Sequence, residues 1–288
     1  MSIAFLGPRG TYSESAALVH AGDRRELVPF PSIAACVEAV ESGAVAEAVL
    51  PLENSIEGGV SATLDLLIHE TDLKIFREIV VPIRHMLVAR EHIPLESVRT
   101  VISHPQALGQ CRRFLDRHLS HARQVASLST AGAVQQVVEG DEPTAVAIGP
   151  RPAQELYGGV VLSEDIQDNA INLTRFVAVR FEDAEPTGDD KTSIGITADA
   201  DEPGVLERII RPIAEAGLNL TRLESRPTKG WLGTYVFLID FEGHRAEQRV
   251  QDVLAEIERF STMLKVFGSY PRFPIEELKE MVQAPAQA

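Results

Sequence analysis

Residues 3–22 read IAFLGPRGTYSESAALVHAG, and the architecture of the chain follows from how this stretch divides. Ile3–Leu6 is a short apolar run suited to a buried strand. Gly7, Pro8 and Gly10 end it. Thr11 or Ser13 then offers an oxygen to the free N–H groups of a helix, and Glu14 suits the positive end of its dipole. This is a strand–loop–helix unit, with unpaired N–H groups gathered at the strand's carboxyl edge. The pattern recurs. AEAVL (46–50) leads into PLENSIEGGVSATLDLLIHE, where Ser61 caps a helix running to about Glu70. RTVIS (99–103) leads into HPQALGQCRRFLDRHL, with Pro105 at the first helical position. RQVAS (123–127) leads into LSTAGAVQQVVEG, capped by Ser129 or Thr130, and TAVAI (144–148) leads into GPRPAQELYGG. Strands alternating with helices predict an α/β domain built on mostly parallel sheets.

The bulk numbers narrow the function. A chain of 288 residues suits two domains, and 44% hydrophobic with 24% charged residues supplies a real core. With 27 basic against 42 acidic residues the net charge is −15, which argues against nucleic acid as a partner. An anionic ligand would have to be captured by local donors against that field. The opening MSIAFLGPRG has no basic region followed by an apolar one, and no apolar run is long enough to span a bilayer. A cytoplasmic location and no membrane partner are expected. Cys36 and Cys111 read as buried free thiols.

In open α/β sheets ligands bind beyond the carboxyl ends of the strands. The loops collected there are GPRGT, ENSIEGG, SHPQ and STAG. They carry hydroxyls, amides and free N–H groups, and read as a cradle for a small oxyanion. GPRG lacks both the phosphate-loop and the dinucleotide pattern. No metal-ligand spacing is present, so neither metal nor cofactor is expected. KIFREIVVPIRHMLVAR (74–90) reads as two β-rich runs around Pro82. A crossing there, with a return near Asp165–Asn172, divides the domain into two lobes, about 1–78 with 170–181 and about 79–169. The return passes through DNAINLTRFVAVR (168–180), which changes from polar loop to β-branched strand. Thr174 and Arg175 sit at that entry, on the hinge side of the cleft.

Beyond the acidic linker EDAEPTGDDK (182–191) the rhythm changes. TSIGIT is a strand and DEPGVLERIIRPIAEAG a helix. LNLTRLESRP is a strand broken by Pro227, Thr228 and Gly230, and TYVFLIDFEG another. RAEQRVQDVLAEIERF is an amphipathic helix and MLKVFGSYPR the last strand. The order βαββαβ is ferredoxin-like. EELKEMVQAPAQA is expected to fray after a short helix.

Five segments in this order, GPRGTYSESAA (7–17), PLENSIEGGV (51–60), SHPQALGQC (103–111), STA (129–131) and DNAINLTRF (168–176), together resemble the prephenate dehydratase family. Residues 192–270 resemble an ACT domain, and ESRP (224–227) matches that family's phenylalanine-sensing motif. The resemblance implies a two-lobed, periplasmic-binding-protein-like catalytic domain over 1–181. It also implies an ACT regulatory domain over 192–272 and a tail over 273–288. Because the match starts at residue 3, the chorismate mutase helices of bifunctional relatives are not expected. The implied activity is loss of water and carbon dioxide from prephenate to give phenylpyruvate, with no cofactor.

Thr174 matches the family's essential threonine. Arg175 is expected to brace the loop or pair with a carboxylate. Glu53, Asn54, Ser55, Ser103, His104, Gln106, Ser129, Thr130 and Asn172 are the candidates for substrate recognition. Glu53, His104 or a water is left as the source of the proton. L-Phenylalanine is the implied effector, at Gly204, Leu206, Asn219, Glu224, Ser225, Arg226 and Pro227, in a homodimer or homotetramer. Two rivals stand beside this reading: arogenate as the preferred substrate, and a non-catalytic protein that binds small anions.

Overall fold

A computed structural model describes residues 2–22, 26–198, 202–228 and 235–283. The chain begins with β1 (Ile3–Leu6), α1 (Tyr12–Ala21), β2 (Leu27–Phe30), α2 (Ile33–Glu41), β3 (Glu47–Asn54), β4 (Gly58–Gly59), α3 (Ser61–His69) and β5 (Lys74–Pro82). Parallel pairing of β1 with β2 and β3 gives the carboxyl edge that the sequence implies. Of the two candidate caps, Thr11 opens α1, its side chain accepting from the N–H of Glu14. Gly10 has φ +78°, and a Cβ there would lie 2.9 Å from the Cα of Ala153, so both conformation and space demand glycine.

A second sheet follows. Its elements are β6 (Met86–Ala89), β7 (Thr100–Ser103), α4 (Pro105–Gln110), α5 (Arg112–His118), β8 (Arg123–Ala126), α6 (Thr130–Glu139), β9 (Ala145–Gly149), α7 (Arg151–Tyr157) and β10 (Val160–Ser163). The strand order is β10-β6-β9-β7-β8. β7 runs parallel to β8 and β9, but β6 is antiparallel to β9, and β10 to β6, so this sheet is mixed. Alternation along β6 and β9 builds two cores. Leu87, Ala89, Val146 and Ile148 pack with Ala107, Cys111 and Leu115, while Met86, Val88, Ala145 and Ala147 pack with Ala131, Val134 and Val137. Helices therefore cover both faces. The chain returns through β11 (Leu173–Arg180) to the first sheet, whose order is β2-β1-β3-β11-β5 with β4 on β3.

The rest comprises β12 (Asp190–Ala198), α8 (Val205–Glu215), β13 (Leu220–Pro227), β14 (Tyr235–Glu242), α9 (Gln248–Glu258), β15 (Ser261–Pro271) and α10 (Ile275–Gln283). The sheet order β13-β14-β12-β15, all antiparallel, is the ferredoxin-like arrangement. Ile194, Ile196, Ile209, Ile213, Ile239, Phe241, Val250 and Ile257 form its core. The expected break at Gly230 and the fraying over 284–288 lie outside the described residues.

Within the described residues the fold makes two compact units. One takes in the chain to Val60, Ile79–Phe176 and the stretch from Pro274; the other takes in Ser61–Glu78 and Val177–Phe273. The second unit thus includes α3. Lys265 Nζ donates to the carbonyls of Ile68 (3.3 Å) and Thr71 (2.7 Å) at the C-terminal end of that helix. Arg226 pairs with Asp65 on it at 3.3 Å. At Gly268, φ +154°, the Ile75 carbonyl oxygen lies 2.1 Å from where a Cβ would stand.

Candidate active site

A cavity of about 690 Å³ lies where the loops after β1, β7 and β8 meet the start of β11. Three helix starts face it. Thr11 caps α1, and Ser129 caps α6 with its Oγ 2.9 Å from the N–H of Gly132. His104 caps α4, its Nδ1 accepting from the Gln106 N–H at 3.3 Å, with Pro105 at the first helical position. Hydroxyls and N–H groups of this kind suit oxyanions.

Beside these donors stands a chain of amides whose direction can be worked out from one end. The backbone N–H groups of Ile56 and Glu57 donate to Asn54 Oδ1 at 3.0 and 3.2 Å. That fixes Asn54 Nδ2 as the donor to Asn172 Oδ1 (2.8 Å) and to Thr174 Oγ1 (2.9 Å). Asn172 Nδ2 then donates to Gln110 Oε1 at 2.9 Å, and Gln110 Nε2 to Glu57 Oε1 at 2.8 Å. A hydroxyl that accepts from an amide keeps its own hydrogen to give. Thr174, 9% exposed and on the cavity wall, is therefore held as a donor. Asn54→Asp keeps the acceptor for the two backbone N–H groups but cannot donate to Thr174. It is expected to lower kcat on the order of a hundredfold and to lower the urea midpoint as well, because a buried carboxylate oxygen then faces Asn172 Oδ1 and the Leu173 carbonyl. Kinetics within threefold of wild type would remove this amide from the mechanism.

Two further side chains complete the wall. His85 Nε2 lies 3.0 Å from Gln110 Oε1, and burial pushes the imidazole below its ordinary value. Tyr12 donates its hydroxyl to the Arg84 carbonyl and accepts from the Arg84 N–H at 3.1 Å. Its ring stands edge-on to His85, and burial raises its pKa, so it stays a neutral phenol.

Of the residues expected from sequence, Thr174, Asn54, His104, Gln106, Ser129 and Thr130 line this cavity. The others lie off it. Ser103 is fully buried and spends its hydroxyl on the Ile148 carbonyl at 2.6 Å. Asn172 is 2% exposed and acts between Asn54 and Gln110. Ser55 Oγ accepts from the Leu173 N–H at 3.0 Å and so pins the entry to β11. Strand alternation turns Arg175 away from Thr174, and its Nε lies 3.5 Å from Glu53 Oε2. Gln110, His85 and Tyr12 were not among the site residues expected from sequence. Gln110 sits within the quoted SHPQALGQC, but His85 is hidden in a β-rich run.

In the second unit the expected effector residues divide over two faces. Glu224 and Arg226 turn to one side of β13, where Arg222 (2.5 Å) and Arg226 (3.4 Å) pair with Glu224. Ser225 and Pro227 are exposed on the alternate side. Gly204 precedes α8 with φ +94°, and Leu206 follows within its first turn. Asn219 donates to Glu242 Oε1 at 3.2 Å.

A donor-lined cleft in a two-lobed α/β body, joined in one chain to a βαββαβ module, is the architecture of a protein that binds a small anionic molecule and carries a second, ferredoxin-like domain. The family model for prephenate dehydratase matches residues 3–184, and that for the ACT domain matches residues 192–259. The prephenate dehydratase of Methanocaldococcus jannaschii is 38% identical over 277 residues, covering 94% of this chain and 98% of that one. A bifunctional chorismate mutase/prephenate dehydratase of Neisseria gonorrhoeae is 38% identical over 94% of this chain and 74% of its own length. A crystal structure of prephenate dehydratase from Arthrobacter aurescens in complex with L-Phe superposes with TM-score 0.86 at 39% identity, covering 94% of this chain and 90% of that one. The chain belongs to the prephenate dehydratase family. It is a carbon–oxygen lyase that carries an ACT domain.

Proposed function

We propose that the cavity binds prephenate and expels its ring hydroxyl through Thr174, and that the ACT domain makes the reaction responsive to L-phenylalanine. The observation that carries the first part is the directed amide chain, which leaves the Thr174 hydroxyl with a hydrogen to give. Prephenate dianion plus one proton gives the phenylpyruvate anion, carbon dioxide and water. The carboxylate leaves as carbon dioxide, its electron pair restores the aromatic ring, and the C–O bond breaks. Aromatisation drives the change, so the protein has to hold two carboxylates and stabilise the departing oxygen. The N–H groups and hydroxyls at Gln106, Ser129 and Thr130 suit the carboxylates. Thr174 donates to the hydroxyl oxygen as negative charge develops on it. Asn172, Ser55 and Ser103 act from behind the wall by fixing the groups that line it, and the Glu53–Arg175 pair braces the start of β11. The proton comes from solvent, in a cytoplasmic setting.

In this reading the catalytic domain spans 1–181, the linker 182–191 and the ACT domain 192–272. L-Phenylalanine binds at Gly204, Leu206, Asn219 and the 224–227 segment of a homodimer or homotetramer, and end-product control makes it an inhibitor. The L-Phe bound to the Arthrobacter relative supports this. Absorbance-monitored formation of phenylpyruvate from prephenate, with and without L-phenylalanine, tests both halves. The expected result is turnover that falls severalfold when L-phenylalanine is added. A Ser225→Ala, Arg226→Ala double variant is expected to keep turnover and lose that response. An unchanged response would move the effector site elsewhere.

A further inference from the structure

The amides that hold Thr174 belong to a closed ring, and Glu57 enters it twice. Its backbone N–H donates to Asn54 Oδ1 at 3.2 Å, and its carboxylate accepts from Gln110 Nε2 at 2.8 Å. Between these two contacts the bonds run one way, from Asn54 Nδ2 to Asn172 Oδ1 and from Asn172 Nδ2 to Gln110 Oε1. An amide side chain has a donor end and an acceptor end of nearly the same shape. The direction of the ring therefore has to come from groups that can play only one part. A backbone N–H can only donate and a carboxylate can only accept. Glu57 supplies one of each. Its N–H, with that of Ile56, takes up Asn54 Oδ1. Its carboxylate takes up Gln110 Nε2 and leaves Oε1 to face Asn172 and, at 3.0 Å, His85 Nε2. The antiparallel pairing of Asn54 with Gly58 makes this double use possible, because it brings residue 57 back beside Asn54.

We propose that Glu57 is a positioning residue for the reaction: acting through Gln110 and not on the substrate, its carboxylate fixes the direction of the ring and so keeps the Thr174 hydroxyl a donor. This rests on the prephenate reading. Asn54, Gln110, Asn172 and Thr174 are each 9% exposed or less, whereas Glu57 is exposed. A charge at the surface thus sets the polarity of a buried site, through a bond that its charge strengthens.

The test separates the acceptor from the bulk of the side chain. Glu57→Gln keeps an oxygen for Gln110 Nε2, and its kcat on prephenate is expected to stay within about threefold of wild type. Glu57→Met keeps the length but removes the acceptor and releases Gln110. Its kcat is expected to fall about tenfold with KM within about twofold of wild type. Gln110→Glu sets two carboxylates face to face and is expected to be slower still. Adding Glu57→Gln to it gives the new carboxylate a donor, and is expected to raise kcat about tenfold over Gln110→Glu alone. A residue that only stabilised the fold would lower the urea midpoint in these variants and leave kcat, measured well below that midpoint, as in wild type. Glu57→Met within threefold of wild-type kcat, or a double variant no faster than Gln110→Glu, overturns the proposal. Side-chain amide resonances give a second readout that needs no turnover. Those of Asn54 and Asn172 are expected to move in Glu57→Met and to keep their wild-type positions in Glu57→Gln, and resonances unmoved by Glu57→Met also overturn the proposal. Absence of any phenylpyruvate from the wild type would instead sink the prephenate reading, and the resonances would still decide whether Glu57 holds the ring.

Discussion

Thr174→Val is expected to lower kcat by about two to three orders of magnitude while the protein stays folded. Valine keeps the branched shape that suits β11 and removes only the hydroxyl. Asn54 Nδ2 loses its partner at 2.9 Å but retains Asn172 Oδ1 at 2.8 Å and the Leu173 carbonyl at 3.3 Å. The amide chain therefore survives, and the stability cost is about 1 kcal/mol. The kinetic cost is larger because the lost donor acts where charge develops as the C–O bond breaks, inside a site held rigid before the reaction. Thr174→Ser returns the hydroxyl and is expected to recover activity to within about tenfold of wild type. The two variants together separate the hydroxyl from the shape. If valine turned over prephenate within threefold of wild type, the donor for the departing oxygen would have to be another group.

The features that sequence reasoning reached are those encoded locally. Thr11, Ser129 and Pro105 mark helix starts because capping and N1 preferences act within one turn, and the loops they close are the loops that form the cavity. The βαββαβ order was legible for the same reason. What escaped depends on pairing across the fold. β2 and β10 are four-residue strands at sheet edges, partly exposed and weakly patterned. The mixed second sheet follows from the chain entering it at β6, which no local signal encodes. In the site, Thr174 and Asn54 stood in recognisable segments. The direction of their bond is set by the N–H groups of Ile56 and Glu57 and passed to Gln110, 56 residues further along than Asn54, which appears only once the chain is folded. Ser103 shows the converse. The loop after it carries His104 and Gln106 to the cavity wall, yet β7 turns the Ser103 hydroxyl into the core, to the Ile148 carbonyl.

Glu78→Ala is expected to cost about 3–5 kcal/mol of stability, because it removes one half of a buried ion pair. Glu78 is 5% exposed on β5, and its Oε1 and Oε2 accept from Lys191 Nζ at 3.1 and 2.9 Å. Oε1 also accepts the backbone N–H of Phe273 at 2.7 Å. One carboxylate thus joins three segments of the second unit: β5, the start of β12, and the chain just past β15. Alanine would leave the Lys191 ammonium, its side chain 12% exposed, without that counter-charge and would orphan the Phe273 N–H. Glu78→Gln keeps an acceptor for both and is expected to cost less than alanine. The pair need not be stabilising as a whole, since desolvating two charges offsets much of their attraction. A double Glu78→Met, Lys191→Met variant should therefore recover a large part of the loss, with a coupling energy of about 1–3 kcal/mol between the two sites. Urea unfolding of the wild type, Glu78→Met, Lys191→Met and the double variant closes the cycle. A Glu78→Ala unfolding free energy within about 0.5 kcal/mol of wild type, an effect ordinary for surface positions, would mean that Lys191 finds another partner and that the three segments are held by their apolar core alone.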